Sequence, residues 1–553
     1  MKRQLYAVTV LAIVALLVLA PSLYIIWFTV ADLRATIEIF TNAVAASGYR
    51  EIIFRSLSLS FRLAIAVAII DLLIGIPIAY AIARNRLKPG WLIEDIITLP
   101  LVVPTSAFGF AILLAWSSPG GLPSLLGLER VSQQTIVPVF NVPALLLITH
   151  VALTIPYMVR PLTAVLRSLG DTYEVISRTL KASPLTTFRR ITIPLSISSI
   201  VSSLVLAITR SLGETGASLI VAGVSFTASI AIVRLFYDFK VGLASLLSTL
   251  LILLSLAIVL PTEALSKKLL VSRRYKRSNL ESKISKIESI ISGKRIIVLA
   301  RDVVLYLLVL LIIVAPLFFI FKALPEYWEK DPFSGKIEGG VLYQVFGPSG
   351  YWHSILSSTI NSFIVASLST LAALYISILL FTAIRETSIE YLVRGLIRIP
   401  LVVPTSALGL SALLLFGEHG LGILSPGIWL TTIVHTSFSV PIIFETIMST
   451  YETIQVKILE ETARTLGASP LDAVETITLP LMKKGIIAGS LLAFTHSMGE
   501  TGATIIVMGK DVTVPVLVVH MAEALAVPAA LFTSVYLLGL ALIFLAITRL
   551  GSK

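Results

Sequence analysis

Apolar runs long enough to cross a bilayer, separated by short polar connections, dominate the chain. They predict helical spans near residues 5–30, 54–83, 96–116, 141–166, 192–222 and 241–265, then near 301–321, 354–384, 396–416, 428–448, 484–508 and 526–548. The run from Leu5 continues past Pro21 to about Ala31, longer than the apolar part of a secretory signal, so it reads as an uncleaved first span. The expected fold class is all-α: a polytopic membrane protein of about twelve transmembrane helices.

The two sets of spans repeat one another in their residues. Leu99-Pro100-Leu101-Val102-Val103-Pro104-Thr105-Ser106-Ala107 returns as Ile399-Pro400-Leu401-Val402-Val403-Pro404-Thr405-Ser406-Ala407, and Ser211-Leu212-Gly213-Glu214-Thr215-Gly216-Ala217 returns as Ser497-Met498-Gly499-Glu500-Thr501-Gly502-Ala503. Six spans per unit is an even number, so the units enter the bilayer in the same direction as parallel six-helix repeats. Residues 1–265 form the expected first unit, 266–300 a basic linker, and 301–553 the second unit.

Composition narrows the class. Of 553 residues, 56% are hydrophobic and 13% charged, about half the charge of a soluble domain, and there is no Cys, which excludes a water-soluble enzyme and a disulfide scaffold. The net charge of +12 lies in particular connections, among them Arg84, Arg86 and Lys88, Arg189 and Arg190, and Arg385, Arg394 and Arg398. A positive-inside reading puts these connections, the linker and both termini in the cytoplasm, and nucleic acid is not an expected partner. The linker, with Lys267, Lys268, Arg273, Arg274, Lys276 and Arg277, reads as a solvated segment beside anionic headgroups.

The connection after the fourth span of each unit has a readable shape. In the second unit, Gly467 suits a left-handed helix end, Ser469 an N-cap and Pro470 the first turn of a new helix, with Asp472 and Glu475 following where acids complement the helix dipole. A helix, a sharp corner and a short second helix outside the membrane are expected.

This segment, Glu460-Glu461-Thr462-Ala463-Arg464-Thr465-Leu466-Gly467-Ala468-Ser469-Pro470-Leu471 with its Ile477-Thr478-Leu479-Pro480 tail, resembles the EAA loop of type I ABC-importer permeases. Glu174, Ala182, Ser183, Pro184 and Ile191-Thr192-Ile193-Pro194 give a copy in the first unit. The resemblance implies that each short helix couples to an ATP-binding subunit. Neither copy keeps the double Ala, and the first has Lys181 where the family has Gly, so its corner either differs or couples differently. Arg189 and Arg190 against Asp472 and Glu475 suggest that the two halves contact their ATPases unequally. No phosphate-binding Gly-x-x-x-x-Gly-Lys-Ser/Thr loop occurs, so this chain is expected to be no enzyme and to bind no cofactor or metal itself. The resemblance implies two partner ATPase subunits that carry ATP and magnesium, and an extracellular solute-binding protein that delivers the cargo.

Candidate pathway residues lie in the repeated membrane segments. Pro104 and Pro404, each following a proline one turn earlier, mark either a packed kink or a flexing helix, with Thr105 and Thr405 placed to bond freed carbonyls. Glu214 and Glu500, about 20 residues beyond Pro194 and Pro480, fall roughly 30 Å along their helices. Either they brace a helix break or they line an outer gate, with Arg210 and His496 one turn earlier. His150 and His435 read as structural donors, while Arg62 and Asp71 find partners elsewhere. The Gly-Glu segment with the Leu-Pro-Leu-Val-Val-Pro run is similar to sulfate, molybdate and tungstate permeases, and the fused halves to thiamine and ferric-iron permeases. An ion-coupled secondary carrier, a channel or scaffold, and an exporter are the rival classes.

Overall fold

The computed structural model describes residues 2–32, 37, 46–268, 279–348, 350–385 and 387–552. Among them ten helices are long and apolar enough to cross a membrane, and two bent helix pairs raise the number to twelve. Spans one to six are Leu5–Ala31, Gly48–Ala83, the pair Gly90–Val102 and Thr105–Leu125, Ala144–Ser168, Pro184–Gly213 and Val241–Val259. Spans seven to twelve are Ile296–Glu326, Trp352–Ile384, the pair Glu390–Val402 and Thr405–Phe416, Ile428–Ile454, Val474–Gly499 and Val527–Phe544. The one described strand pair, Ile136–Val137 with Val142–Pro143, is a short hairpin between the third and fourth spans.

The third and ninth spans are broken rather than kinked, which corrects both readings of their prolines. Their halves are bent by 110° and 103°. A residue before proline is pushed out of the helical region, and Val103 (φ −70°, ψ 129°) and Val403 (φ −68°, ψ 127°) are extended accordingly. Pro104 and Pro404 then start new helices, while Pro100 and Pro400 stay helical.

The first span of each unit packs on the other unit. Val10, Val14 and Val18 share a core with Ala373, Phe381, Phe444 and Ala493, and Leu305, Val309 and Ile313 share one with Ile78, Ile97, Ile155 and Leu166. Backbone contacts fix both crossings: the Ser437 hydroxyl donates to the Val18 carbonyl at 3.0 Å, and the Lys88 N–H donates to the Tyr306 hydroxyl at 2.7 Å.

The linker departs from the solvated reading. Arg273, Arg274, Lys276 and Arg277 lie outside the described residues, but Asn279–Gly293 forms a helix packed on the first corner.

Candidate coupling corners and gate

Each corner is built by local rules. Thr172–Thr179 and Val456–Thr465 form the first helices, and Lys181 (φ 66°) and Gly467 (φ 102°) both turn the chain through the left-handed region. Lys181 therefore does not alter the corner; it bears a backbone strain of about 1 kcal/mol instead. Ser183 accepts from the Thr186 N–H at 3.2 Å. Ser469 and Asp472 cap reciprocally, the Asp472 N–H donating to Ser469 Oγ at 3.2 Å and the Ser469 N–H to Asp472 Oδ2 at 3.3 Å.

The short second helices, Pro184–Thr187 and Pro470–Ala473, do not stand apart as expected. Each continues through a π-helical turn, Phe188–Thr192 or Val474–Thr478, into the fifth or eleventh span. From Pro184 to Gly213 the backbone is one helix of 30 residues, about 45 Å long. Ala182 and Ala468 follow the left-handed residues at the bend itself.

Glu174 and Glu460 are buried, 6% and 4% exposed, and point into the protein. Arg84 donates to Glu174 Oε1 from Nη2 at 2.8 Å and from Nε at 3.1 Å, the Tyr80 hydroxyl donates to Oε2 at 2.9 Å, and Thr192 donates at 3.1 Å. In the second corner Arg385 donates to both Glu460 oxygens, and the Thr478 hydroxyl donates to Oε2 at 3.0 Å. Burial pushes the Glu174 pKa up, but the donors from Arg84, Tyr80 and Thr192 outweigh it and hold the carboxyl below its ordinary value. Each glutamate thus ties its corner to the end of the preceding second or eighth span and to the foot of the fifth or eleventh.

Sequence reasoning missed these partners. In the sequence Arg84 and Arg385 stand out only as loop charge, and Thr192 and Thr478 only as part of a tail. The signal was present, because both pairs recur at matching places in the two units.

At the far ends of the fifth and eleventh spans, Gly213-Glu214 and Gly499-Glu500 end the helices. Glu214 (ψ 121°) and Glu500 (ψ 129°) are extended, and each accepts from the N–H three residues on, Ala217 at 3.0 Å and Ala503 at 3.1 Å. They therefore brace a helix break. His150 spans the first break, with Ser211 at Nδ1 and Ser218 at Nε2, both at 2.8 Å; His435 spans the second between Ser497 and Thr504 at 2.6 and 2.9 Å. The two histidines are structural, as expected.

The breaks of the two units cross in contact. Gly213 lies on Pro404 and Gly499 on Pro104, and a Cβ on Gly216 would fall 2.6 Å from Thr105 Oγ1 and 2.7 Å from the Thr501 Cβ. Thr405 Oγ1 donates to the Gly213 carbonyl at 3.5 Å, so this hydroxyl serves the opposite unit rather than the carbonyls freed in its own helix. Arg210 pairs with Glu214 at 2.6 Å. Beside the crossing, a cavity of about 20 Å³ is lined by Pro100, Tyr157, Arg210, His496, Gly499 and Glu500. It holds about one water, so the crossing is closely packed at this level. Arg62 donates to the Asn141 carbonyl at 2.9 Å, and Asp71 is buried with Thr154 beside it. No group of metal-ligating residues occurs among the described residues.

Comparison with known proteins fits this geometry. Relatives include the molybdenum transport system permease protein of Mycobacterium tuberculosis, 36% identical over 168 residues, covering 30% of this chain and 61% of that protein. The molybdate/tungstate transport system permease protein of Pyrococcus abyssi is 29% identical over 207 residues, 37% of this chain and 76% of that one. A probable molybdenum ABC transporter permease protein of Haloferax volcanii is 30% identical over 194 residues, 34% and 72% respectively. The match to the mycobacterial protein spans less than two thirds of its length. The family model of binding-protein-dependent transport system inner membrane components matches twice, over residues 71–271 and 375–552, and this chain belongs to that family.

Proposed function

We propose that the chain is the membrane-spanning permease of an ATP-driven importer for a tetrahedral oxyanion of the molybdate and tungstate class. Two ATPase subunits, carrying ATP and magnesium, dock on the two corners in the cytoplasm, where both termini and the linker also lie. A solute-binding protein delivers cargo on the opposite side. The observation that carries this reading is the continuous helix from Pro184 to Gly213, which joins a docking corner at one end to the closed crossing at the other. When ATP draws the ATPases together, the corners move with them, and the levers separate the Gly-Glu breaks. Leu180 and Leu466, 78% and 85% exposed at the corners, are apolar surface that a docked subunit would cover.

Cargo class rests on the relatives' names and on the Gly-Glu and Leu-Pro-Leu-Val-Val-Pro segments, since Arg210 at the crossing is already paired with Glu214 and lies beside Glu500. Thiamine and ferric iron, suggested by the fused halves, are the alternative cargo, and no relative named above carries either in its name. An ion-coupled carrier leaves the two corners without a role.

The test is reconstitution in liposomes with the ATPase and binding protein. Molybdate- or tungstate-loaded binding protein is expected to stimulate ATP hydrolysis and ATP-dependent uptake. Uptake that proceeds without any ATPase subunit would overturn the importer reading, and stimulation by a cationic solute alone would overturn the cargo class.

A further inference from the structure

The linker helix Asn279–Gly293 meets the first corner through a built set of charged contacts. Arg189 Nε lies 2.5 Å from Glu288 Oε1 and its Nη1 3.1 Å from Glu281 Oε1, while Arg190 Nη2 lies 2.6 Å from Glu281 Oε1. Glu281 and Glu288 are two helical turns apart and so share one face. Their side chains are mostly covered, 14% and 13% exposed. The Thr186 hydroxyl donates to Glu288 Oε2 at 2.7 Å, and Ser183 Oγ lies 2.8 Å from the same hydroxyl.

Comparison of the corners gives these contacts a meaning. In the second corner the carboxylate beside the capping serine is Asp472, on the short helix itself and exposed. The matching residue of the first corner is Thr186, which is buried and carries no charge; the carboxylate arrives from another segment, as Glu288. Arg189 and Arg190, which stand where the second corner has Glu475 and its neighbour, are neutralised by the same helix. An approaching partner therefore meets a neutralised arginine pair at the first corner and exposed acids, Asp472 and Glu475, at the second.

We propose that the linker helix is a working part of the first corner: Glu281 and Glu288 position its short helix for the ATPase, so that the connection between the two units takes part in coupling. This rests on the importer reading. Glu281 and Glu288 are positioning residues, acting through Arg189, Arg190 and Thr186. The linker helix moves with the first corner as one body, and a corner detached from it transmits the ATPase stroke less fully.

The full chain, assembled with its ATPase and binding protein in liposomes, tests this. Glu281→Lys with Glu288→Lys is expected to lower solute taken up per ATP hydrolysed about fivefold with the ATPase still bound. The exchange Arg189→Glu with Glu288→Arg is expected to recover more of the ratio than either change alone. Because the chain has no Cys, Ile290→Cys, at a residue 61% exposed, accepts a single spin label that reports whether the helix is docked. A label that becomes mobile in the double Lys variant while uptake per ATP stays at the wild-type value overturns the coupling role; a label as immobile in that variant as in the parent overturns the docking by these ion pairs. Failure of the unmodified chain to bind any ATPase would instead overturn the importer reading, and the label distinguishes the two because it needs no ATPase.

Discussion

Arg385 and Glu460 are 75 residues apart in sequence and meet through two hydrogen bonds, 2.6 Å from Nη1 and 2.7 Å from Nη2. Such a fork fixes orientation as well as distance. Both side chains are nearly buried, so deleting either leaves a charge without its counterpart, a loss of about 3–5 kcal/mol. Arg385→Ala and Glu460→Ala should each lower the thermal midpoint of the purified chain and cut ATP-dependent uptake. Arg385→Lys should restore little, since an ammonium cannot make the fork. Full uptake in Glu460→Ala would show that the corner holds its place without this strut.

The strained Lys181 gives a prediction of opposite sign in the two units. Lys181→Gly should raise stability by about 1 kcal/mol, because glycine adopts the left-handed turn without cost. Gly467→Ala should lower it by a similar amount; a Cβ there meets open space, so only the backbone strain acts. Paired thermal unfolding curves in one detergent would check both.

Gly216 and Gly502 allow the two breaks to touch. A Cβ on Gly502 would fall 2.7 Å from the Thr215 Cβ, closer than packed side chains approach. Gly216→Val and Gly502→Val should therefore wedge the crossing open, and liposomes containing either variant should leak oxyanion without ATP. The measurement is efflux of preloaded molybdate, and tight liposomes with a folded variant would count against this crossing as the gate.

Acid should release the linker helix, and the sign follows from its carboxylates. Hydrogen bonds from Arg189 hold Glu288 below its ordinary value of 4.5, and those from Arg189 and Arg190 do the same for Glu281. Groups depressed in the folded state stabilise it fully above their unfolded value, and that contribution disappears as pH falls through the folded one. A spin label at Ile290→Cys should stay immobile from pH 8 down to about 5 and loosen only below the ordinary carboxylate range. Loosening between pH 8 and 6 would point to another titrating group.

Features that depend on nearby residues were legible in the sequence. Apolar run length gives the spans, and Gly467, Ser469 and Pro470 give the corner. What escaped depends on contacts across long separations. Two prolines four residues apart allow a kink or a break, and Val103 is released into an extended conformation where Gly499 of the other unit packs on Pro104. Nothing local in the polar linker marks Glu281 and Glu288, because their partners lie 91 to 102 residues earlier. The glutamates of the corners were visible, but not that they face inward, since that orientation is set by arginines on other spans.

The exchanged first spans affect how the chain is made. Val18 finds the Ser437 hydroxyl 419 residues later, so at ordinary synthesis rates the opening helix waits on the order of tens of seconds in lipid before its neighbour exists. Only a segment content among acyl chains survives such a delay, and the two exchanged helices are the most apolar of the ten unbroken spans. The composition of the opening helix therefore answers to two environments in turn, first the bare bilayer of the newborn chain and later the flank of the opposite unit, whereas the seventh span meets partners already made.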